Sequence, residues 1–261
     1  MHICSRVDSN YMSKNFLVLK NYDILDHTKW YDDRSNEINL VNNYDEMEKI
    51  AVDSAMKYLK GMNEIKIFRG EENNIRDVFK TNFFEIYELW KKGNNILYAD
   101  LDVVFVNEHN YFEGDTFQMY NITQPHTTKD EHYGLEFEHF FNCGIRYYPS
   151  TMSQDVWEVG FKMIENWNPD RWDCEQVIYN QMMWSQGVSV EEVYKPQCAY
   201  QCLANPSMQD GTLINKTFNQ IDMGDSYAIH VHGSRGSEDR LLLMKQLHDR
   251  TIPLVQEVLY L

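Results

Sequence analysis

ILYADLDVVFVNEH, residues 96–109, places two aspartates one residue apart inside an otherwise apolar run. A short apolar run of this kind reads as a buried strand. In extended backbone, side chains i and i+2 share a face. Asp100 and Asp102 are therefore expected to project together while Leu101 enters the core. Two carboxylates this close repel, and partial burial sharpens the repulsion. The usual relief is a hard divalent cation on oxygen ligands, and Mg²⁺ commonly takes one or two carboxylates and completes its shell with phosphate oxygens. The pair thus points to a metal-bound phosphate or diphosphate. In open α/β sheets such ligands collect at the carboxyl ends of strands. The competing reading is a turn carrying two solvated aspartates, against which the apolar flanks argue.

Outward from this stretch the chain alternates helical and extended patterns. Residues 73–93 give the strongest helix, with Ile75, Val78, Phe79, Phe83, Ile86, Leu89 and Trp90 on one face and Lys-Lys-Gly at its close. Residues 44–62 read as a helix stopped by Gly61, and 64–70 as a strand. Residues 2–7 read as a strand, 15–25 fit helix or strand equally, and 115–123 and 138–149 are strand-like. Helices follow at 153–167, capped by Ser153, and at 173–187, with Asp173 at its start and Gly187 at its end. The stretch 195–226 reads as loop-rich. A short strand at 227–234 carries His230 and His232 on one face. A terminal helix at 237–261 is interrupted near Pro253. Imidazole beside carboxylates suits Mn²⁺-class metals. The alternation predicts an α/β fold with a mainly parallel central sheet flanked by helices, in a single domain over 1–261 with no dividing linker.

Composition narrows the function classes. Forty acids against 24 bases give a net charge of −16, which offers no general attraction for nucleic acid or an anionic membrane surface. No apolar run approaches the roughly 20 residues that span a bilayer, and the N-terminal residues lack the layout of a signal peptide. The five cysteines, Cys4, Cys143, Cys174, Cys198 and Cys202, are odd in number and lack CxxC spacing. They read as free thiols in a reducing, cytoplasmic setting, with Cys198 and Cys202 in an irregular stretch. Asn121-Ile-Thr and Asn215-Lys-Thr, which match the glycosylation acceptor pattern, read as chance in that setting.

At this point the motifs resemble a known family. ILYADLDVVF resembles the DxD strand of the GT-A glycosyltransferases, which use nucleotide-sugar donors. FFNCGIRYYP resembles their FNxG strand, WDCEQVIYNQMMW the segment beneath the sugar, and AIHVHGSR their late metal-ligand motif. The four stand in the family's order over roughly 75–235, closest to the retaining glycogenin-like and galactosyltransferase-like groups. The resemblance implies a GT-A, Rossmann-like fold, with a donor-binding half at about 1–125 and an acceptor half at about 126–261. It implies Mn²⁺ or Mg²⁺ as cofactor, a UDP-sugar as donor, and a glycan or other hydroxyl as acceptor.

Carried over residue by residue, the resemblance makes Asp100, Asp102 and His230 the metal set, with Asp100 also touching the donor ribose and His232 a neighbour or alternative ligand. Asn142 falls near the sugar. Gln176 lies by the anomeric carbon, with Glu175 where the family often has Asp. Ser5, Arg6 and Asp8 are candidates for the nucleotide, Arg76 and Lys80 for donor contacts, and Gly233 for the late motif's glycine. The family often continues that motif with Lys-Pro-Trp. Here Ser-Arg-Gly follows, and Arg235 is the candidate replacement cation.

Glu175 or Asp173 would serve as base in an inverting variant. Trp172 is the candidate acceptor platform, while Trp157 and Trp184 are assigned to packing. Two rivals use the same residues differently. A haloacid-dehalogenase-like phosphatase would employ Asp100 as nucleophile and Asp102 as acid, and a non-catalytic carbohydrate-binding protein would need only the aromatics.

Overall fold

The computed structural model describes residues 13–24, 44–72, 75–124, 127–167, 174–189, 198–202, 227–232 and 237–250. The strand expected at 2–7 lies outside them. In chain order the elements are β1 (Asn15–Ile24), α1 (Tyr44–Tyr58), β2 (Leu59–Lys60), β3 (Glu64–Glu72), α2 (Ile75–Trp90), β4 (Asn95–Ala99), β5 (Val103–Phe105), β6 (His109–Asn110), β7 (Gln118–Gln124), β8 (Thr128–Asp130), β9 (Leu135–Phe137), β10 (Phe140–Tyr148), α3 (Gln154–Glu165), α4 (Cys174–Trp184), β11 (Cys198–Cys202), β12 (Ala228–His232) and α5 (Ser237–His248).

The larger sheet has the order β3-β1-β4-β10-β7. β1 pairs in parallel with β3 and β4, whereas β10 runs against both β4 and β7. β3, β1, β4 and β7 therefore point one way and β10 the other. This is the α/β class expected, a central sheet flanked by helices, with one strand reversed.

Within the ambiguous run at 15–25, Asn15–Ile24 is a strand because both of its faces are buried. Phe16 and Val18 join a core with Val78, Phe83, Trp157 and Ile178. Leu17 and Leu19 join a second core with Met47, Ala51, Ile229 and Met244. Central strands covered on both sides read as continuous apolar runs for this reason. Each fully buried side chain of this size contributes about 1.5–3 kcal/mol, which suits β1 to an interior place in the sheet, between β3 and β4. β4 divides in the same way, Ile96 and Tyr98 to one core, Leu97 and Ala99 to the other. α2, α3 and α4 cover one face. α1, α5 and a smaller sheet cover the other.

Trp157 is fully buried, stacked on Tyr148 with ring centroids 5.3 Å apart, as its packing assignment requires. Ser153 caps α3 by accepting from the Asp155 N–H at 3.2 Å. α1 ends at Tyr58, earlier than expected, because Leu59 and Lys60 pair with His109 and Asn110 before the turn at Gly61.

The smaller sheet has the order β11-β12-β5, with β11 parallel and β5 antiparallel to β12. Two expectations are corrected here. Cys198–Cys202 is a strand, not irregular chain: the run is too short for periodicity to mark it, and the edge of β12 supplies its backbone partners. The uninterrupted strand expected through the aspartates is also broken. β4 stops at Ala99, and the Val103 N–H donates to the Asp100 carbonyl at 3.1 Å, closing a turn over Asp100–Val103.

That turn carries the chain from one sheet to the other. The Asp100 N–H donates to the Gly144 carbonyl on β10, and the Val231 N–H on β12 donates to the Asp102 carbonyl, each at 2.8 Å. The sequence set a solvated turn against a buried strand, and the chain adopts neither. It is a turn whose Leu101 and Asp102 are buried.

Candidate functional site

Strand register brings three of the motifs together. Ala99 lies opposite Ile145, which sets Gly144 beside Asp100. Val103 lies opposite His230, which sets that imidazole beside Asp102. The ligand atoms that Asp100, Asp102 and His230 offer all lie within 4.8 Å of one another. His230 Nε2 is 3.0 Å from Asp102 Oδ1 and 3.7 Å from Asp100 Oδ2.

Each carboxylate divides its two oxygens. Asp102 turns Oδ1 to His230 and Oδ2 to Arg240 of α5, whose Nη1 donates at 3.1 Å. Asp100 turns Oδ2 toward His230 and accepts the Tyr98 hydroxyl on Oδ1 at 2.6 Å. Burial alone would push the His230 imidazole down. The Asp102 carboxylate, which also bonds it, and Asp100 behind it hold it above its ordinary value.

These residues fit a divalent cation. Hard carboxylate oxygens and an imidazole nitrogen converge, a donor set that could hold a divalent metal ion. In an octahedral shell with bonds of about 2.0–2.1 Å, neighbouring donors stand about 2.9 Å apart. The His230–Asp102 separation of 3.0 Å already matches, and the others, up to 4.8 Å, require the side chains to draw together around the ion.

Gly144 explains the glycine of the FNxG strand. A Cβ there would come within 2.2 Å of His230 Cε1 and 2.9 Å of Asn142 Oδ1. The imidazole occupies the space a Cβ would fill, so any side chain would displace it.

Beside this cluster stand the candidates for the sugar. Asn142 Oδ1 accepts from the Gly144 N–H at 2.7 Å, and its Nδ2 donates to Gln176 Oε1 at 3.2 Å. Asn180, one turn along α4 from Gln176, bonds both backbone groups of Phe141 at 2.8 Å and fixes the irregular part of β10 that presents Asn142.

Glu175 turns inward. Its Oε1 meets Arg146 Nη1 at 3.1 Å and Lys20 Nζ at 3.7 Å. Arg146 is fully buried, its guanidinium held between the rings of Tyr98 and Tyr179.

Lys80 is exposed on α2. Arg76 lies in the first turn of α2 and His232 ends β12; their side chains lie outside the described residues. So do Ser5, Arg6, Asp8, Trp172, Asp173, Gly233 and Arg235. Trp184 is partly buried and donates to the His139 carbonyl at 3.2 Å. A cavity of about 570 Å³ lined by Asn15, Asn95, Tyr111 and Tyr147, among others, opens at the opposite end of β4 and shares none of the cluster's residues.

Sequence reasoning missed Tyr98, Lys20, Arg146 and Arg240. Lys20 and Arg146 carried a signal, since each is a lone cation inside a strand that otherwise reads as buried. Such a charge requires a partner. Arg240 carried none, standing among other charges at the start of a helix.

No protein-family model and no curated protein matches the chain. Among solved structures, similarity is found to the crystal structure of a glycosyltransferase involved in the glycosylation of the major capsid of PBCV-1. The match covers 89% of this chain and 99% of that one, with a TM-score of 0.47 and 11% identity. Among the described residues, no helix is long and apolar enough to cross a membrane.

Proposed function

We propose that the chain is a metal-dependent glycosyltransferase of the GT-A type. It would move a sugar from a nucleoside diphosphate donor, a UDP-sugar by family tendency, to a hydroxyl acceptor with retention. One observation carries the reading: the DxD, FNxG and late His motifs, which are far apart in sequence, meet at one point, with Asp100, Asp102 and His230 converging above Gly144.

Asp100, Asp102 and His230 would hold the cation, Mn²⁺ or Mg²⁺, which supplies Lewis acidity to the departing diphosphate. Arg240 keeps a fixed positive charge at Asp102 and so eases the repulsion between the paired acids. Asn142 and Gln176, linked to each other, offer amide groups to the hydroxyls of the transferred sugar. The glycosidic bond to the diphosphate opens through an oxocarbenium-like state. Glu175 is engaged by Arg146 and Lys20, which favours a structural counter-charge over a base and so favours front-face attack with retention. Gln176 then positions groups without bonding covalently.

The test is a thermal-shift panel of nucleoside diphosphates and their sugars, with and without Mn²⁺, on the native chain and on Asp102→Asn. A ligand at 100 times its dissociation constant adds about 2.7 kcal/mol. The expected result is a rise with UDP compounds that requires Mn²⁺ and is lost in the variant. The reading fails if no nucleoside diphosphate shifts the melting point with metal present. Release of phosphate from a chromogenic ester, without transfer, would favour the phosphatase instead.

A further inference from the structure

The Asp100 side chain is tied to the protein interior through the Tyr98 hydroxyl. Its side chain is 29% exposed, on a turn, while Tyr98 beneath it is fully buried. The Tyr98 ring is clamped. Arg146 lies over it at 3.9 Å from the centroid and over Tyr179 at 3.7 Å on its other side. Arg146 is fixed in turn by Glu175, and Glu175 by Lys20.

A guanidinium between two aromatic faces, with a carboxylate in its plane, has little freedom. Tyr98 cannot tilt without uncovering it. The phenol therefore delivers its O–H to one place, Asp100 Oδ1 at 2.6 Å. With Oδ1 occupied, Oδ2 is the oxygen that faces His230.

We propose that Tyr98 is a positioning residue: it selects the oxygen that Asp100 presents to the cation, and the buried Arg146–Glu175–Lys20 cluster holds its ring in place. This rests on the metal reading above and adds a residue to which that reading assigned no role. Partners that orient a ligand side chain commonly carry 10- to 100-fold of metal affinity. A neutral hydroxyl on a partly exposed carboxylate belongs at the low end of that range.

The experiment is a Mn²⁺ titration followed by the electron paramagnetic resonance signal of the free ion. It covers native protein, Tyr98→Phe, Asp100→Asn, Asp102→Asn, and Tyr98→Phe combined with Asp100→Asn. Melting points in chelator accompany each. Phenylalanine keeps the ring under the guanidinium and removes only the hydroxyl. The expected result is about a 10-fold weaker dissociation constant in Tyr98→Phe, a metal-free melting point close to native, and no further loss when the change is added to Asp100→Asn. Arg146→Lys, which keeps the charge but removes the flat group between the rings, gives a smaller loss in the same direction.

Unchanged affinity in Tyr98→Phe beside a weakened Asp100→Asn overturns the proposal and leaves the metal reading standing. Equal losses from Tyr98→Phe with and without the Asp100 carboxylate also overturn it, because the hydroxyl would then act through packing. Unchanged affinity in Arg146→Lys removes the cluster's part in it. Unchanged affinity in both aspartate variants ends the metal reading itself, and this proposal with it.

Discussion

Gly144→Ala is the substitution whose effect follows most directly from the geometry. Gly144 does not occupy the left-handed region that would bar alanine, so the new methyl meets only its neighbours. Those are His230 Cε1 at 2.2 Å, His230 Nδ1 at 2.5 Å and Asn142 Oδ1 at 2.9 Å. Ordinary contact for carbon is about 3.5–4.0 Å, so the imidazole must retreat by more than an ångström or β10 must bow. Overpacking of this kind costs about 1–3 kcal/mol. For a chain of this size that amounts to a melting point lower by roughly 3–10 °C.

Retreat also takes Nε2 away from Asp102 and Asp100, so metal affinity falls together with stability. The assay is chemical denaturation in chelator of four proteins: native, Gly144→Ala, His230→Ala and the double variant. If the clash is with His230, the glycine change costs little in the His230→Ala background. The coupling between the two sites is then about 1–2 kcal/mol, within the range for residues in contact. A penalty as large in that background as in the native chain would refute the reasoning, since the methyl would then be clashing with something other than the imidazole.

Asp102→Asn is expected to abolish Mn²⁺-dependent stabilisation and turnover while the metal-free protein remains folded; full activity in chelator-free buffer would reject the assignment. Arg146→Met should destabilise the fold by about 3 kcal/mol or more, because Glu175 is left buried with, among the described residues, only Lys20 at 3.7 Å; urea denaturation with a loss under about 1 kcal/mol would contradict this. Asn180→Ala should cost about 1–3 kcal/mol by stranding the Phe141 backbone groups, measured in the same way, and should weaken donor binding by loosening Asn142. Burial, and then the Glu175 charge, push the Cys143 thiol up, so its peptide should resist alkylation near pH 8 in the native protein and react once unfolded, as read by mass spectrometry.

Much of the architecture was legible because burial writes itself into pattern. β1 and β4 are covered on both faces, and their sequences are continuous apolar runs. α2 is covered on one face, and its apolar residues recur at helical spacing. The paired aspartates were legible as an anomaly within such a run. What the pattern could not carry was the turn at Asp100–Val103. An apolar flank signals burial whether the chain runs straight or passes between two sheets, and Leu101 is buried either way.

Proximity across sequence was legible only through motif order. That Gly144 sits beneath His230 is a matter of strand register, which a single sequence does not state. Tyr98 and Arg240 act on the aspartates through single hydrogen bonds from residue types that are common everywhere, so nothing local marks them. Lys20 and Arg146 were visible as misplaced charges, yet their shared partner, Glu175, could be named only once α4 was set against β10.

The crossing at Asp100–Val103 has a consequence beyond ligand geometry. Asp100 is fastened to the rim of the larger sheet, whereas Asp102 and His230 belong to the smaller one, with α5 gripping it from outside through Arg240 and through the Lys245–Glu46 pair to α1. An ion shared by the three side chains would act as a rivet across that seam. Filling or emptying the site would then change how firmly the two sheets hold together.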